Sequence, residues 1–90
     1  MDIERCYELL AEVAIEQGAG PIEPLNEAET TAVLDLARVA AHTVERKAAP
    51  LLCFAVGRAL AALDADGRMA ALTDAIARIE AEASASADDD

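Results

Sequence analysis

Apolar residues at Ile3, Cys6, Tyr7, Leu10, Val13 and Ala14 recur at intervals of three and four, with Glu4, Glu8, Glu12 and Glu16 opposite them. That spacing predicts an amphipathic helix. Gly18-Ala19-Gly20-Pro21 ends it, because glycine tolerates left-handed backbone and proline offers no N–H. Pro21 to Leu25, pinned by two prolines, reads as extended, with Ile22 and Leu25 able to fold over the core. The helical pattern restarts at Asn26, which forms a capping box with Glu29 three residues on. The core face of this second helix is Val33, Leu36, Ala37, Ala40 and Val44.

Pro50 disfavours helical geometry at Ala49, so the second helix is expected to end near Arg46 or Lys47. Pro50 would then open a third helix, and this break is favoured over one long kinked helix. The third helix carries Leu52, Val56, Leu60 and Leu63 on one side and Leu51, Phe54, Ala55 and Ala62 around the rest, with Arg58 its only charge. A helix apolar nearly all round predicts burial, with Leu52, Phe54, Val56 and Leu60 central and Gly57 at a close helix crossing. Asp64-Ala65-Asp66-Gly67 is a turn, with Asp66 as cap of a fourth helix striped by Met69, Leu72, Ile76, Ile79 and Ala83. Ser84-Ala85-Ser86-Ala87 and the three terminal aspartates read as a disordered acidic tail. The expectation is all-α: a compact bundle of four short helices over residues 1–83, with a buried third helix and a tail at 84–90.

Composition adds that the core is thin. The hydrophobic fraction is 54%, but roughly a quarter of the chain is alanine, which favours helix and buries little area. Ninety residues allow one modest core and a stability on the order of 5 kcal/mol. Self-association or a partner protein is a natural supplement for such a domain. A net charge of −11 argues against nucleic acid, whose phosphates would be repelled. No run of about 20 apolar residues offers a membrane span, and Met1-Asp2-Ile3-Glu4-Arg5 is unlike a signal peptide, so a cytoplasmic location is expected. Cys6 and Cys53 share no metal-ligand spacing with each other or with His42 and are expected to be buried, reduced thiols.

Candidate chemistry is sparse. With one histidine and no serine before Ser84, no Ser-His-Asp arrangement can be assembled, and no enzyme activity, metal or cofactor is expected. The strongest candidate site is a positive island in an acidic chain: Arg38, His42, Arg46 and Lys47, flanked by Glu45. At 100° per residue Asp35, His42 and Arg46 share one arc opposite the apolar stripe. The N–H groups of Leu51 and Leu52 lack an obvious local acceptor, which together with the arginines would suit an anion. The plainer reading is a solvated face of pairs three residues apart, Asp35 with Arg38 and His42 with Glu45.

Asp35-Leu36-Ala37-Arg38, Ala41-His42, Val44-Glu45-Arg46, Ala48-Ala49-Pro50-Leu51, Phe54 and Gly57 together resemble a small bacterial helical domain of unknown function. That family occurs in actinobacteria as a stand-alone protein or appended to molybdenum cofactor guanylyltransferase-like (MobA-like) nucleotidyltransferases. The resemblance covers about residues 3–65. It implies a non-catalytic accessory role near molybdopterin guanine dinucleotide maturation, with a nucleotidyltransferase or molybdoenzyme as partner. The alternatives are a small anion- or nucleotide-binding module working through the island, and a self-associating structural domain without a ligand.

Overall fold

The computed structural model describes residues 1–20 and 22–88, with side chains through residue 85. Four helices follow one another: α1 (Ile3–Glu16), α2 (Glu27–Thr43), α3 (Ala48–Leu60) and α4 (Ala65–Asp88), and no strand occurs among the described residues. The all-α, four-helix fold expected from the periodicity is therefore the one observed, and the second and third helices are separate.

Local chemistry sets the helix ends. Asp2 caps α1 by accepting the Arg5 N–H at 2.9 Å. At the other end Gly18 adopts φ +79°, and the N–H groups of Gly18 and Ala19 fold back onto the carbonyls of Ile15 and Ala14. That is the glycine-dependent C-terminal motif the sequence announced. Asn26 caps α2, accepting the Glu29 N–H at 2.7 Å, and its amide donates to the Glu29 carboxylate at 3.3 Å. The fourth helix is capped by Asp64, not Asp66: the Gly67 N–H donates to the Asp64 carboxylate at 2.8 Å. Gly67 suits this tight entry, since a β-carbon there would lie 3.1 Å from that carboxylate and 3.3 Å from Leu63 Cβ.

The core forms around α2. Leu36 and Val39 of α2 meet Leu72 and Ile76 of α4, with Val33, Cys53, Val56, Leu60 and Ile79 packed against them. Helix α2 packs on α4 along one side and on α3 along another, so the central helix is α2 and not α3. The expected buried third helix is corrected accordingly. Only Val56, Leu60 and Cys53 of α3 turn toward the cluster, while Phe54 is 72% and Leu51 69% exposed and Leu52 lies at the margin. An all-apolar helix with one neighbour buries one side and leaves the other in solvent. Gly57 sits at no close crossing, for nothing approaches within 4 Å of its would-be β-carbon.

Four further differences have local causes. Helix α2 stops at Thr43, short of Arg46, so Val44 is exposed, and Val39 takes the buried position instead. Helix α3 starts at Ala48, two residues before Pro50, which falls in the first turn where its missing N–H costs nothing. Ala48 is itself buried, and packing of that turn outweighs the local bias against helix before proline. Helix α4 continues through Ser84 to Asp88, carried by the alanines at 81, 83, 85 and 87, so the expected tail boundary falls inside a helix; 89–90 lie outside the described residues. Cys6 is exposed and not buried, and Cys53 is half-buried with its thiol 3.9 Å from the Val33 carbonyl. Burial raises the pKa of the Cys53 thiol.

One tertiary tie was not foreseen. Glu29 is 4% exposed, and the Arg68 guanidinium grips it with two hydrogen bonds, Nε to Oε2 at 3.1 Å and Nη2 to Oε1 at 3.0 Å. Arg68 also donates to the Leu63 carbonyl at 2.7 Å, so one side chain joins the start of α2 to the α3–α4 turn. The forked geometry satisfies both carboxylate oxygens of a buried acid. Hydrogen bonding to Arg68 holds the Glu29 carboxyl below its ordinary range, against the opposing effect of burial.

Helix α1 stands apart from this core. It has the strongest apolar-polar segregation in the sequence, yet none of its residues is buried, and Ile3, Leu10 and Val13 are all more than half exposed. The radius of gyration is 15.1 Å, against about 12 Å for an average globule of this length.

Candidate functional site

The five residues singled out in the sequence occupy three places. Arg38 lies on α2 and is tied to Asp35, its Nε 3.1 Å and its Nη2 2.6 Å from the same carboxylate oxygen. This is the pair three residues apart that the plainer reading anticipated, and the hydrogen bond to Asp35 raises the guanidinium pKa. Arg38 opens onto a groove of about 480 Å³ beside Met69, Thr73 and Ile76. His42 lies in the last turn of α2 and opens onto a different groove. Glu45, Arg46 and Lys47 are exposed in the connection between α2 and α3.

Because α2 ends at Thr43, the helical arc that would have joined Asp35 and His42 to Arg46 does not extend that far. For the same reason His42 and Glu45 are not neighbours on one helix face, and no ion pair joins them among the described residues. The start of α3 is also less open to an anion than its sequence implied. The Ala48 N–H donates to the Glu45 carbonyl at 3.0 Å and the Ala49 N–H to the Arg46 carbonyl at 3.3 Å. Pro50 has no N–H, and starting the helix at Ala48 places the Leu52 amide in the regular ladder.

The His42 groove is the larger of the two, about 630 Å³, and lies between the end of α2 and the second half of α4. Val44, Ile79 and Ala83 give it apolar walls; His42, Thr43, Arg78 and Glu82 supply polar groups. Arg78 is held by Asp74 at 3.0 Å, both side chains well exposed. The sequence reading missed Arg78 and Glu82. Their signal was present: they flank the Ile79–Ala83 stripe, and packing α4 alongside α2 brings them to His42. An imidazole and two opposite charges around an open apolar trough can orient a docking surface. They do not enclose a reacting group, which is what tunes acid–base pairs.

The second candidate is apolar. Ile3, Leu10 and Val13 on α1, with Leu51 and Phe54 on α3, are large hydrophobic side chains left mostly in solvent. Arg58 lies beside Phe54, its guanidinium 6.0 Å from the centre of the ring. Among the described residues no group of three or more His, Cys, Asp or Glu could hold a metal ion, and no helix is long and apolar enough to cross a membrane.

A family model described as Domain of unknown function (DUF6457) matches residues 2–90. No curated protein and no solved structure matches the chain.

Proposed function

The chain belongs to that family of domains of unknown function, and from that premise we propose that it is a non-catalytic interaction module. The observation that carries this reading is the apolar surface on α1 and α3, where six large side chains, Ile3, Leu10, Val13, Ile15, Leu51 and Phe54, stay more than half exposed in a chain with a very small core. Surface of that kind marks a protein that works by association. The domain serves molybdenum cofactor maturation in the cytoplasm, and its partner is a nucleotidyltransferase or a molybdoenzyme of the same host. That assignment rests on the resemblance carried by residues 35–57. The partner's polar contacts fall on His42, which lines the groove between α2 and α4 with Arg78 and Glu82, and on Glu45, Arg46 and Lys47 in the exposed connection that follows α2.

The test is co-purification from the host, wild type beside a His42→Ala, Arg46→Glu double variant. Both residues are exposed, so the substitutions should change stability by less than about 0.5 kcal/mol while weakening capture in a salt-dependent way. Identical capture by both forms at low salt would remove the groove and the adjoining connection from the docking surface. Recovery of partners with no link to molybdenum chemistry would remove the assignment to cofactor maturation. Calorimetric titration with nucleotides separates this reading from a small-anion site, because tight nucleotide binding without any protein partner would favour the latter.

A further inference from the structure

The basic side chains of this chain divide into two groups. Four are tied to carboxylates at 2.6–3.0 Å: Arg5 to Glu8, Arg38 to Asp35, Arg68 to Glu29 and Arg78 to Asp74. The remaining three, Arg46, Lys47 and Arg58, make no ion pair among the described residues, although acids outnumber bases 18 to 7. All three bracket α3, and from residue 46 to residue 63 the sequence contains no acid. Lys47, Leu51, Phe54 and Arg58 follow at intervals of four, three and four, and Lys47 already has helical dihedrals. They therefore form one row, on the side of α3 turned away from Cys53, Val56 and Leu60, which face the core. At 1.5 Å per residue the two bases stand about 16 Å apart. Between them lie Leu51 and Phe54, 69% and 72% exposed.

We propose that this row receives a helical segment of a partner protein that carries an acid, two large apolar residues and an acid at the same spacing. This deepens the interaction reading given above, on which it rests, by naming the chemistry of the partner at α3. Intervals of four, three and four read the same from either end, so the segment fits in both directions. Covering Leu51 and Phe54 strips water from Lys47 and Arg58, and a carboxylate opposite each base replaces what the water supplied. One helix laid across two large side chains buries less than a standard interface. Binding is therefore weak and reversible, and its selectivity lies in the charges.

Two other occupants fit less well. The chain's own α1 does not present such a row, in the same copy or a second one, because Glu4, Glu8, Glu12 and Glu16 lie on the reverse of the Ile3, Leu10 and Val13 stripe. A flat anionic membrane would meet the whole chain, whose net charge is −11. A docked helix is only about 10 Å across and feels chiefly the charges within a Debye length of about 8–10 Å, which at this face are the three unpaired bases.

The test uses the full chain and two labelled, alanine-rich helical peptides that differ only in the row, Glu-Leu-Leu-Glu in one and Lys-Leu-Leu-Lys in the other. By fluorescence anisotropy the acidic peptide should bind at least about tenfold more tightly at low salt, and added salt should shrink the difference. A Lys47→Glu, Arg58→Glu variant should invert the preference, and Phe54→Ala should weaken both peptides. All three positions are exposed, so circular dichroism should show the wild-type helical signal in each variant. Equal binding of the two peptides, binding of neither, or an acidic preference that survives the charge reversal would overturn the proposal. So would Phe54-dependent binding to phosphatidylserine vesicles in preference to the acidic peptide, or a Phe54-dependent dimer in sedimentation. The interaction reading is judged separately by co-purification. Capture that survives Phe54→Ala but is lost in the His42→Ala, Arg46→Glu variant would overturn the α3 row alone and leave that reading standing.

Discussion

Leu36 is where the observed core departs most clearly from the one drawn around α3. Its side chain is 1% exposed and packs with Val39, Leu72 and Ile76 between α2 and α4. Leu36→Ala removes the transfer free energy of the lost carbons and leaves a cavity. The cavity can collapse only partly, because α2 is held by α3 and α4 and by the Glu29–Arg68 tie. A cost of about 3–4 kcal/mol follows. Against a total on the order of 5 kcal/mol, the variant retains little margin. At about 4–8 °C per kcal/mol for a domain of this size, its thermal midpoint should fall by more than about 12 °C.

Phe54→Ala is the matched control. The ring is bulkier, but it is 72% exposed, so about a quarter of its transfer value is in play, or roughly 0.5–0.8 kcal/mol. Both variants should be melted by circular dichroism at low protein concentration, where association adds nothing to apparent stability. If Phe54→Ala costs as much as Leu36→Ala under those conditions, α3 is the central helix and the packing described here is wrong.

Two further outcomes follow from single side chains. Arg68 holds the Glu29 carboxyl below its ordinary pKa of 4.5, so the native state favours the anion. That contribution is complete above about pH 5 and is lost as the pH falls through 4.5 toward the lower native value. Glu29→Gln should therefore be less stable than wild type at pH 7, with the gap closing under acid; a gap independent of pH would mean that charge plays no part in the tie. Gly57→Ala should stabilise α3 by about 0.5–1 kcal/mol, since the position is interior to the helix and nothing lies within 4 Å of the new methyl. A loss of stability in a urea melt would restore the close crossing that the sequence suggested.

The parts of this fold that were legible in the sequence are those decided within a few residues. The Asn26 cap, the stop at Gly18 and the break before α3 each depend on side chains or backbone preferences acting over three to five positions. Helix existence and periodicity came through for the same reason. Centrality did not, because it depends on how many neighbours a helix acquires, and hydrophobicity alone measures only the demand for burial. Helix α3 has the greater demand, with Leu51, Leu52, Phe54, Val56 and Leu60. Helix α2 has two neighbours and is buried instead, with only Leu36, Val39 and Ala40 as its apolar core residues. The Glu29–Arg68 pair was hidden for the same reason: thirty-nine positions separate the two, and no local pattern marks one arginine among seven basic residues as the clamp.

The candidate site divides along the same line. Asp35 and Arg38, three apart on one helix, paired as expected. The wider island rested on carrying helical geometry through Arg46, and two backbone events end it first: α2 stops at Thr43, and Val44 leaves helical dihedrals at φ −117°, ψ −84°. Beyond that point the sequence no longer specifies direction, so His42 faces Arg78 and Glu82 of α4 and not the bases that follow it in the chain. Unmet burial is itself information of the same kind. On α1 and α3, Ile3, Leu10, Val13, Leu51 and Phe54 keep apolar surface that no described element covers, a demand for burial that the periodicity shows without showing what meets it.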